Sequence, residues 1–249
     1  MINFTGFKPV FKREFKGYFA SPLGYIFVVI FLLASSYLAL SRDFGRFLEL
    51  RQASLSSFFS FIPWIFVILV PAVAMRLWAE ERKTGTVELL LTLPVTLEGA
   101  YFGKFLAGLT FLGFSLLLTL PMVVVVFYLG NPDVGPIFTG YLACFLLAAT
   151  FLSIGMLFSA LTKNQVVAFI LGITASVIFL MIGLPQTLET ISEIFGTYPE
   201  QLVASLSISD HFGTLVRGVV EFRSLVFFVV TTCIWLFGGI VVLNQTKAS

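Results

Sequence analysis

FLAGLTFLGFSLLLTLPMVVVVFYL, residues 105–129, runs between Lys104 and Asp133 without one charged side chain. A helix crossing the hydrocarbon core of a bilayer needs about 20 mainly apolar residues, and this stretch supplies them. Five more charge-free runs accompany it. They are Leu23–Leu40 between Lys16 and Arg42, Phe58–Met75 between Arg51 and Arg76, and Ile137–Leu161 between Asp133 and Lys163. Val166–Leu184 then lies between Lys163 and Glu189, and Leu225–Leu243 between Arg223 and Lys247. The spacing predicts an all-α membrane protein of six transmembrane helices, with the fourth and fifth joined by a tight turn at Thr162-Lys163-Asn164-Gln165.

Composition agrees. Of 249 residues, 58% are hydrophobic and 11% charged, with a mean hydropathy of +1.01. Soluble domains carry about 25% charged residues, so this chain cannot cover itself against water. That excludes a soluble globular enzyme, a disordered chain and a nucleic-acid binder, and a net charge of +2 is too small to imply a polyanionic partner. Cys144 and Cys233 each lie inside an apolar run and read as small packing residues. The chain has one histidine, no Cys/His cluster and no nucleophile elbow, so hydrolase and metalloenzyme chemistry have nothing to stand on. No segment fits G-x-x-x-x-G-K-[ST]; the nearest, Gly99 to Gly103-Lys104-Phe105, is one spacer short and lacks the hydroxyl. The span interiors also lack Asp, Glu, Lys, Arg and His, which proton-driven carriers place at mid-membrane. An external energy source or a passive role remains.

Basic residues set the expected orientation, because Lys and Arg collect on the cytoplasmic side. With the N-terminus inside, the inner segments hold ten: Lys8, Lys12, Arg13, Lys16, Arg76, Arg82, Lys83, Lys104, Lys163 and Lys247. The outer segments hold five: Arg42, Arg46, Arg51, Arg217 and Arg223. Both termini are therefore expected in the cytoplasm. The first span exceeds the usual 7–15-residue core of a signal peptide and reads as a retained helix.

Ahead of it, Phe7, Phe11, Phe15 and Tyr18 recur at helical spacing beside Lys8, Lys12 and Lys16. This pattern predicts an amphipathic helix lying along the membrane surface, phenylalanines in the acyl boundary and lysines at the headgroups, broken from the first span at Pro22. It reads equally as a lever that moves the bundle or as a plain anchor.

The connection between the second and third spans carries more charge than any other inner segment: Glu80, Glu81, Arg82, Lys83 and Glu88, with Arg76, Glu98 and Lys104 at its margins. Gly85 permits a sharp turn, and Thr86 is placed to cap a helix whose first turn holds Glu88. Val87, Leu90 and Leu91 form a short apolar stripe, Pro94 ends it, and Thr96 is placed to cap the third span. Two readings follow: a rigid docking knob that passes force to both spans, or an ordinary polar loop with a stray helical turn. On the outer side, Leu188, Ile191, Ile194 and Phe195 fit one short amphipathic helix. Pro199 opens a second through Leu202, Val203 and Leu206, and Asp210 a third through Leu215, Val216 and Val219. Asp210 reads as a helix cap and His211 as a polar interfacial residue, with a proton-linked role for the histidine as the other reading. Within the spans, Pro71 is expected to kink the second helix, and Pro63 lies near its outer start. Gly99, Gly103 and Ala107, with Gly155 and Ser159, provide small residues for close helix packing.

The stretch EERKTGTVELLLTLP, Glu80–Pro94, resembles the E-(E/K)-(R/K)-x-x-G-T-x-E-x-L-L-x-x-P signature of ABC-2 type permeases. His211-Phe212 followed by Arg217-Gly218-Val219-Val220 is similar to the H-F-x(4)-R-G-V-[IV] stretch of the gliding-motility and nitrous-oxide-reductase-maturation permeases in that family. The resemblance implies one transmembrane permease domain over residues 1–249, with an interfacial helix at 1–21, a cytoplasmic coupling loop at 80–96 and extracytoplasmic helices at 185–223. It further implies a bacterial inner-membrane exporter subunit that pairs with a second permease subunit, identical or not, and with a separate ABC ATPase. ATP and Mg would sit on that ATPase, with no cofactor on this chain. By the same resemblance, Gly85, Thr86, Glu88 and Leu89 form the coupling helix, Glu80, Glu81, Arg82 and Lys83 flank it, and Pro94 ends it. The rival from another class is a passive channel or a membrane scaffold with no ATPase.

Overall fold

A computed structural model describes residues 6–41, 45, 54–86, 95–195 and 203–246, and every regular element among them is helical. In chain order these are α1 (Phe7–Ala20), α2 (Pro22–Leu40), α3 (Ser56–Ala74), α4 (Arg76–Thr84), α5 (Leu97–Leu117) and α6 (Leu120–Leu129). They are followed by α7 (Val134–Leu161), α8 (Gln165–Met181), α9 (Pro185–Phe195), α10 (Ile208–Val216) and α11 (Phe222–Thr246).

Local chemistry sets most of the boundaries. Ser21 is extended and Pro22 opens α2, where a missing N–H costs nothing. Thr96 caps α5 by accepting from the Gly99 amide at 3.2 Å, as the sequence predicts. Asp133 caps α7 and Asn164 caps α8 in the same way.

Among the described residues, five helical segments are long and apolar enough to cross a membrane: Pro22–Leu40, Ser56–Thr84, Leu97–Leu129, Val134–Leu161 and Phe222–Gln245. The remaining apolar helix, Gln165–Met181, has 17 residues and extends about 25 Å at 1.5 Å per residue, short of a hydrocarbon core of about 30 Å.

Three boundaries differ from the sequence reading. The charge-free run puts the second span at Phe58–Met75, whereas helix resumes past the turn at Met75 and reaches Thr84. No breaker lies between Arg76 and Lys83, Arg82 and Lys83 suit the negative end of the helix dipole, and Gly85 stops the helix at φ +71°. Pro63 and Pro71 lie inside α3 and do not end it. The third span starts earlier, at Leu97, and is interrupted after Leu117. Pro121, in the first turn of α6, removes the amide that would continue the ladder, and Thr119 turns its hydroxyl to the Leu116 carbonyl at 2.7 Å and the Tyr141 hydroxyl at 2.9 Å. Finally, Cys144 is buried as expected for a packing residue, whereas Cys233 is exposed on α11.

Helix α7 is the axis. It packs against α3, α4, α5, α8, α10 and α11, and 72% of its apolar window is buried, against 28% for α2 and 17% for α11. Small residues allow this crowding. A Cβ added at Gly155 would lie 2.6 Å from the Ala74 Cβ, and one at Gly172 would lie 3.2 Å from the Pro71 ring. Helices α3, α7 and α8 thus meet where Pro71 faces two glycines. Gly155→Ala is expected to force α3 from α7 and lower stability by about 1–3 kcal/mol, read as a lower thermal midpoint in detergent. Gly17→Ala, where nothing lies within 4 Å, is expected to be neutral or to stabilise by up to about 1 kcal/mol.

Candidate functional site

Where α1, α4 and α5 converge, four charged side chains form a closed cluster. The Lys104 ammonium lies 3.1 Å from Glu14 Oε1 and 2.9 Å from Glu81 Oε1. Arg13 reaches the same two oxygens at 2.7 and 3.0 Å. Two cations and two carboxylates alternate, so the cluster is neutral overall. The four members are not equally placed: the Lys104 side chain is 2% exposed and the Arg13 side chain 58%. Lys104 carries the stakes, because a buried ammonium without partners costs several kcal/mol.

Helix periodicity explains the meeting of α4 and α5. Trp78 stacks on Tyr101, ring centroids 5.4 Å apart. Three residues further along each helix stand Glu81 and Lys104, one turn up the same faces. An aromatic pair and an ion pair therefore form successive rungs between the two helices, and Lys104 Nζ also lies 5.1 Å from the Trp78 ring. Helix α1 closes on α5 because Gly103 has no side chain: a Cβ there would lie 3.2 Å from both the Phe7 carbonyl and Val10 Cγ1. Val10 and Tyr18 are buried, and Tyr18 stacks on Phe111 at 4.6 Å.

Helix α4 is tied to α7 as well. The Ser159 hydroxyl donates to the Met75 carbonyl at 2.8 Å and accepts from the Trp78 and Ala79 amides at 3.1 and 3.0 Å. It thereby serves three backbone groups at the Met75 turn. Arg82 donates to the Ala160 carbonyl. Arg76 lies over the Tyr18 ring at 5.0 Å and donates to the Ser21 hydroxyl at 3.3 Å.

Burial alone would raise the Glu14 carboxyl, but the Lys104 charge and hydrogen bonds from Arg13 and Lys104 outweigh it and hold Glu14 below its ordinary value of 4.5. For a carboxylate depressed in the folded state, the stabilisation is complete above the unfolded value and disappears as pH falls through the folded one. At Tyr18, burial pushes the phenol upward.

The structure separates the residues anticipated from sequence. Glu81 belongs to the cluster, Arg82 binds α7, and Glu80 and Lys83 are exposed. Gly85 makes the expected turn, and the Thr86 hydroxyl lies 3.0 Å from that of Thr84 and 3.4 Å from the Glu81 carbonyl. Glu88, Leu89 and Pro94 lie outside the described residues. Phe7, Phe11 and Phe15 stack in succession along α1 at 6.2 and 5.9 Å, and Lys8, Lys12 and Lys16 are exposed. The phenylalanine row is half-buried, however, and the strip covered by α5 is Val10–Glu14–Tyr18.

At the other sequence-marked stretch, two expectations are corrected. Ser207, not Asp210, caps α10, accepting from the Asp210 amide at 3.0 Å; Asp210 is exposed in the first turn. His211 is not interfacial but buried, stacked on Phe227 at 4.4 Å, with Nδ1 3.0 Å from the Ser224 hydroxyl and Nε2 3.2 Å from the Ser205 carbonyl. A carbonyl only accepts, so Nε2 carries hydrogen. Phe212 is buried beside it, Arg217 ends the helix, and Gly218 turns the chain at φ +93°.

Arg13, Glu14, Trp78 and Lys104 were not singled out as site residues by the sequence. Two signals were available: Glu14 is the lone acid in a basic helix, and Lys104 directly abuts a charge-free run that extends to Asp133.

A multi-pass helical bundle with a charge-locked helix junction at one end is the build of a membrane-embedded protein. The sequence profile of the ABC-2 family transporter proteins matches residues 9–245, and the chain belongs to that family. Membership makes it an ABC transporter permease, a class whose subunits are typically non-catalytic and partnered by an ABC ATPase. Among curated proteins, none matches the chain.

Lys104→Met is expected to leave two carboxylates sharing the exposed Arg13 alone and to cost about 3 kcal/mol, the lower end for a broken buried pair because Arg13 remains and both acids retain some solvent. Adding Glu14→Gln and Glu81→Gln should recover most of the loss in urea unfolding of the detergent-solubilised protein. In a pH series the wild type should lose stability below about pH 4.5 with a component absent from Glu14→Gln, read from thermal midpoints.

Proposed function

We propose that this chain is the permease subunit of an ABC-2 exporter in a bacterial inner membrane, with six spans and both termini in the cytoplasm. The sixth span is α8, whose 17 residues fall at the lower end of the spanning range of about 17–25. It works as a dimer with a second permease subunit and draws on ATP and Mg bound by two copies of a separate ATPase. Residues 80–96 are the coupling segment, 1–21 the interfacial helix and 185–223 the extracytoplasmic helices of a single domain. Within the family, the likeness of the stretch from His211 to Val220 supports a reading of the chain as similar to the gliding-motility and nitrous-oxide-reductase-maturation permeases.

The observation that carries this reading is the clamp beside the coupling segment. Thr86 and Val95, its last described residues on either side, lead directly into α4 and α5, and the Lys104 cluster joins those helices to each other and to α1. Displacement of the segment by an ATPase is then delivered to three helices as one push. Ser159 and Arg82 pass it on to α7, which touches most of the bundle. An isolated loop between two independently mobile spans would dissipate the same push as local bending.

The test is purification of the tagged chain from its native cell. A P-loop ATPase should co-purify, and its hydrolysis should rise on assembly with the permease. Thr86→Pro combined with Glu88→Lys should insert normally yet lose the ATPase. Unchanged ATPase binding in that double variant would remove the coupling assignment, and full activity without any nucleotide-hydrolysing partner would favour the channel or scaffold reading.

A further inference from the structure

A groove with a volume of about 130 Å³ runs between α2 and α3, small against the roughly 300–1,000 Å³ of pockets that enclose drug-sized molecules. Leu23, Ile26 and Ile30 form one wall and Leu69 and Val73 the other. The first three are each about half exposed, so the groove opens to whatever surrounds the bundle. Its charged end is closed by Arg76, with Tyr18 beside it.

Arg76 differs from the two cations of the charge cluster, and from Arg82, which also lacks a carboxylate but donates to the Ala160 carbonyl of α7. Arg13 and Lys104 each hold two carboxylates, whereas Arg76 makes one hydrogen bond, to Ser21, and one ring contact, to Tyr18. No carboxylate is paired with it among the described residues. A guanidinium has five N–H donors in a planar fork suited to phosphate, and one held beside an apolar groove gains most from an anion that brings its own apolar tail. A soluble anion would satisfy the charge and leave the groove exposed; an aliphatic chain alone would do the reverse.

We propose that this groove seats an anionic phospholipid of the surrounding bilayer, its phosphate on Arg76 and the Ser21 hydroxyl and one acyl chain between α2 and α3. The lipid braces the bend at Ser21-Pro22, where α1 leaves α2, and so stiffens the joint between the clamp and the first span.

Native mass spectrometry of the purified full chain, titrated in mixed micelles with palmitoyl-oleoyl phosphatidylglycerol or phosphatidylcholine, tests this. One phosphatidylglycerol should be retained at lower concentration than phosphatidylcholine. Arg76→Gln should raise the concentration for half-occupancy by phosphatidylglycerol roughly tenfold without affecting phosphatidylcholine, and Arg76→Lys should fall between. Ala72→Phe, which fills the groove from α3, should weaken both lipids. Millimolar glycerol phosphate should displace neither. Equal retention of the two lipids by the wild type, displacement by glycerol phosphate, or phosphatidylglycerol binding unmoved by Arg76→Gln would overturn the proposal. Should Arg76→Gln fail to fold, unchanged binding in Ala72→Phe would do the same. No ATPase enters the measurement, so its result is separate from that of the coupling test.

Discussion

A lysine ammonium taken almost wholly out of water must be neutralised where it lies, and Lys104 is neutralised by carboxylates from two other helices. That requirement organises one end of the molecule. Glu14 comes from α1 and Glu81 from α4, so satisfying a charge on α5 draws three helices to one point. The two acids would in turn repel without the cations between them, and Arg13 completes the balance from the exposed side. Withdrawal of either helix would strip the buried ammonium of one of its two carboxylates. Apolar packing alone would permit the same helices to slide, because displaced methylenes find new neighbours in a bilayer whose tails are as apolar as they are.

From the clamp, rigidity extends along α7. Ser159 and Arg82 fasten α4 to its end, Gly155 and Gly172 let α3 and α8 approach beside Pro71, and Thr150 meets Thr232 of α11 at 3.1 Å. At the far end, the buried His211 links α10 to α11 through Ser224 and Phe227. A continuous path of packed groups and hydrogen bonds thus joins the charged end to the opposite one, while α2, α6 and α11 present broad apolar faces such as Leu33, Val124 and Phe237.

The membrane character was legible in the charge-free runs because lipid tolerates few charges at depth, and that signal needs no tertiary information. The cap at Thr96 and the turn at Gly85 were also local and readable, whereas Gly218 stood out only as part of a motif and its turn did not. The charge cluster was not, since residues 13, 14, 81 and 104 share no periodicity and only packing brings them together. In sequence Lys104 looked like an ordinary boundary charge at the start of a span. The continuation of the second span through Thr84 does not show in the charge-free runs, which stop at Arg76, because a helix can carry its charged turns beyond the apolar layer. The break at Leu118 leaves no trace in hydropathy, because the run is apolar throughout, and only Pro121 marks it. Ser207 took the capping place expected of Asp210 because the helix begins at Ile208, ahead of Asp210, and the Ser207 hydroxyl accepts from the Asp210 amide.

If the cluster fuses α1, α4 and α5 into one body, the distance between α1 and α4 cannot change while the bundle works. Spin labels at Lys12→Cys and Lys83→Cys, both exposed positions, with Cys144 and Cys233 replaced by alanine, allow this distance to be read by pulsed electron resonance in the assembled complex. One narrow distance distribution, the same without nucleotide and with trapped ATP, is the expected result. A distribution that shifts or splits between the two states would show the helices moving independently and would contradict the fused-body view.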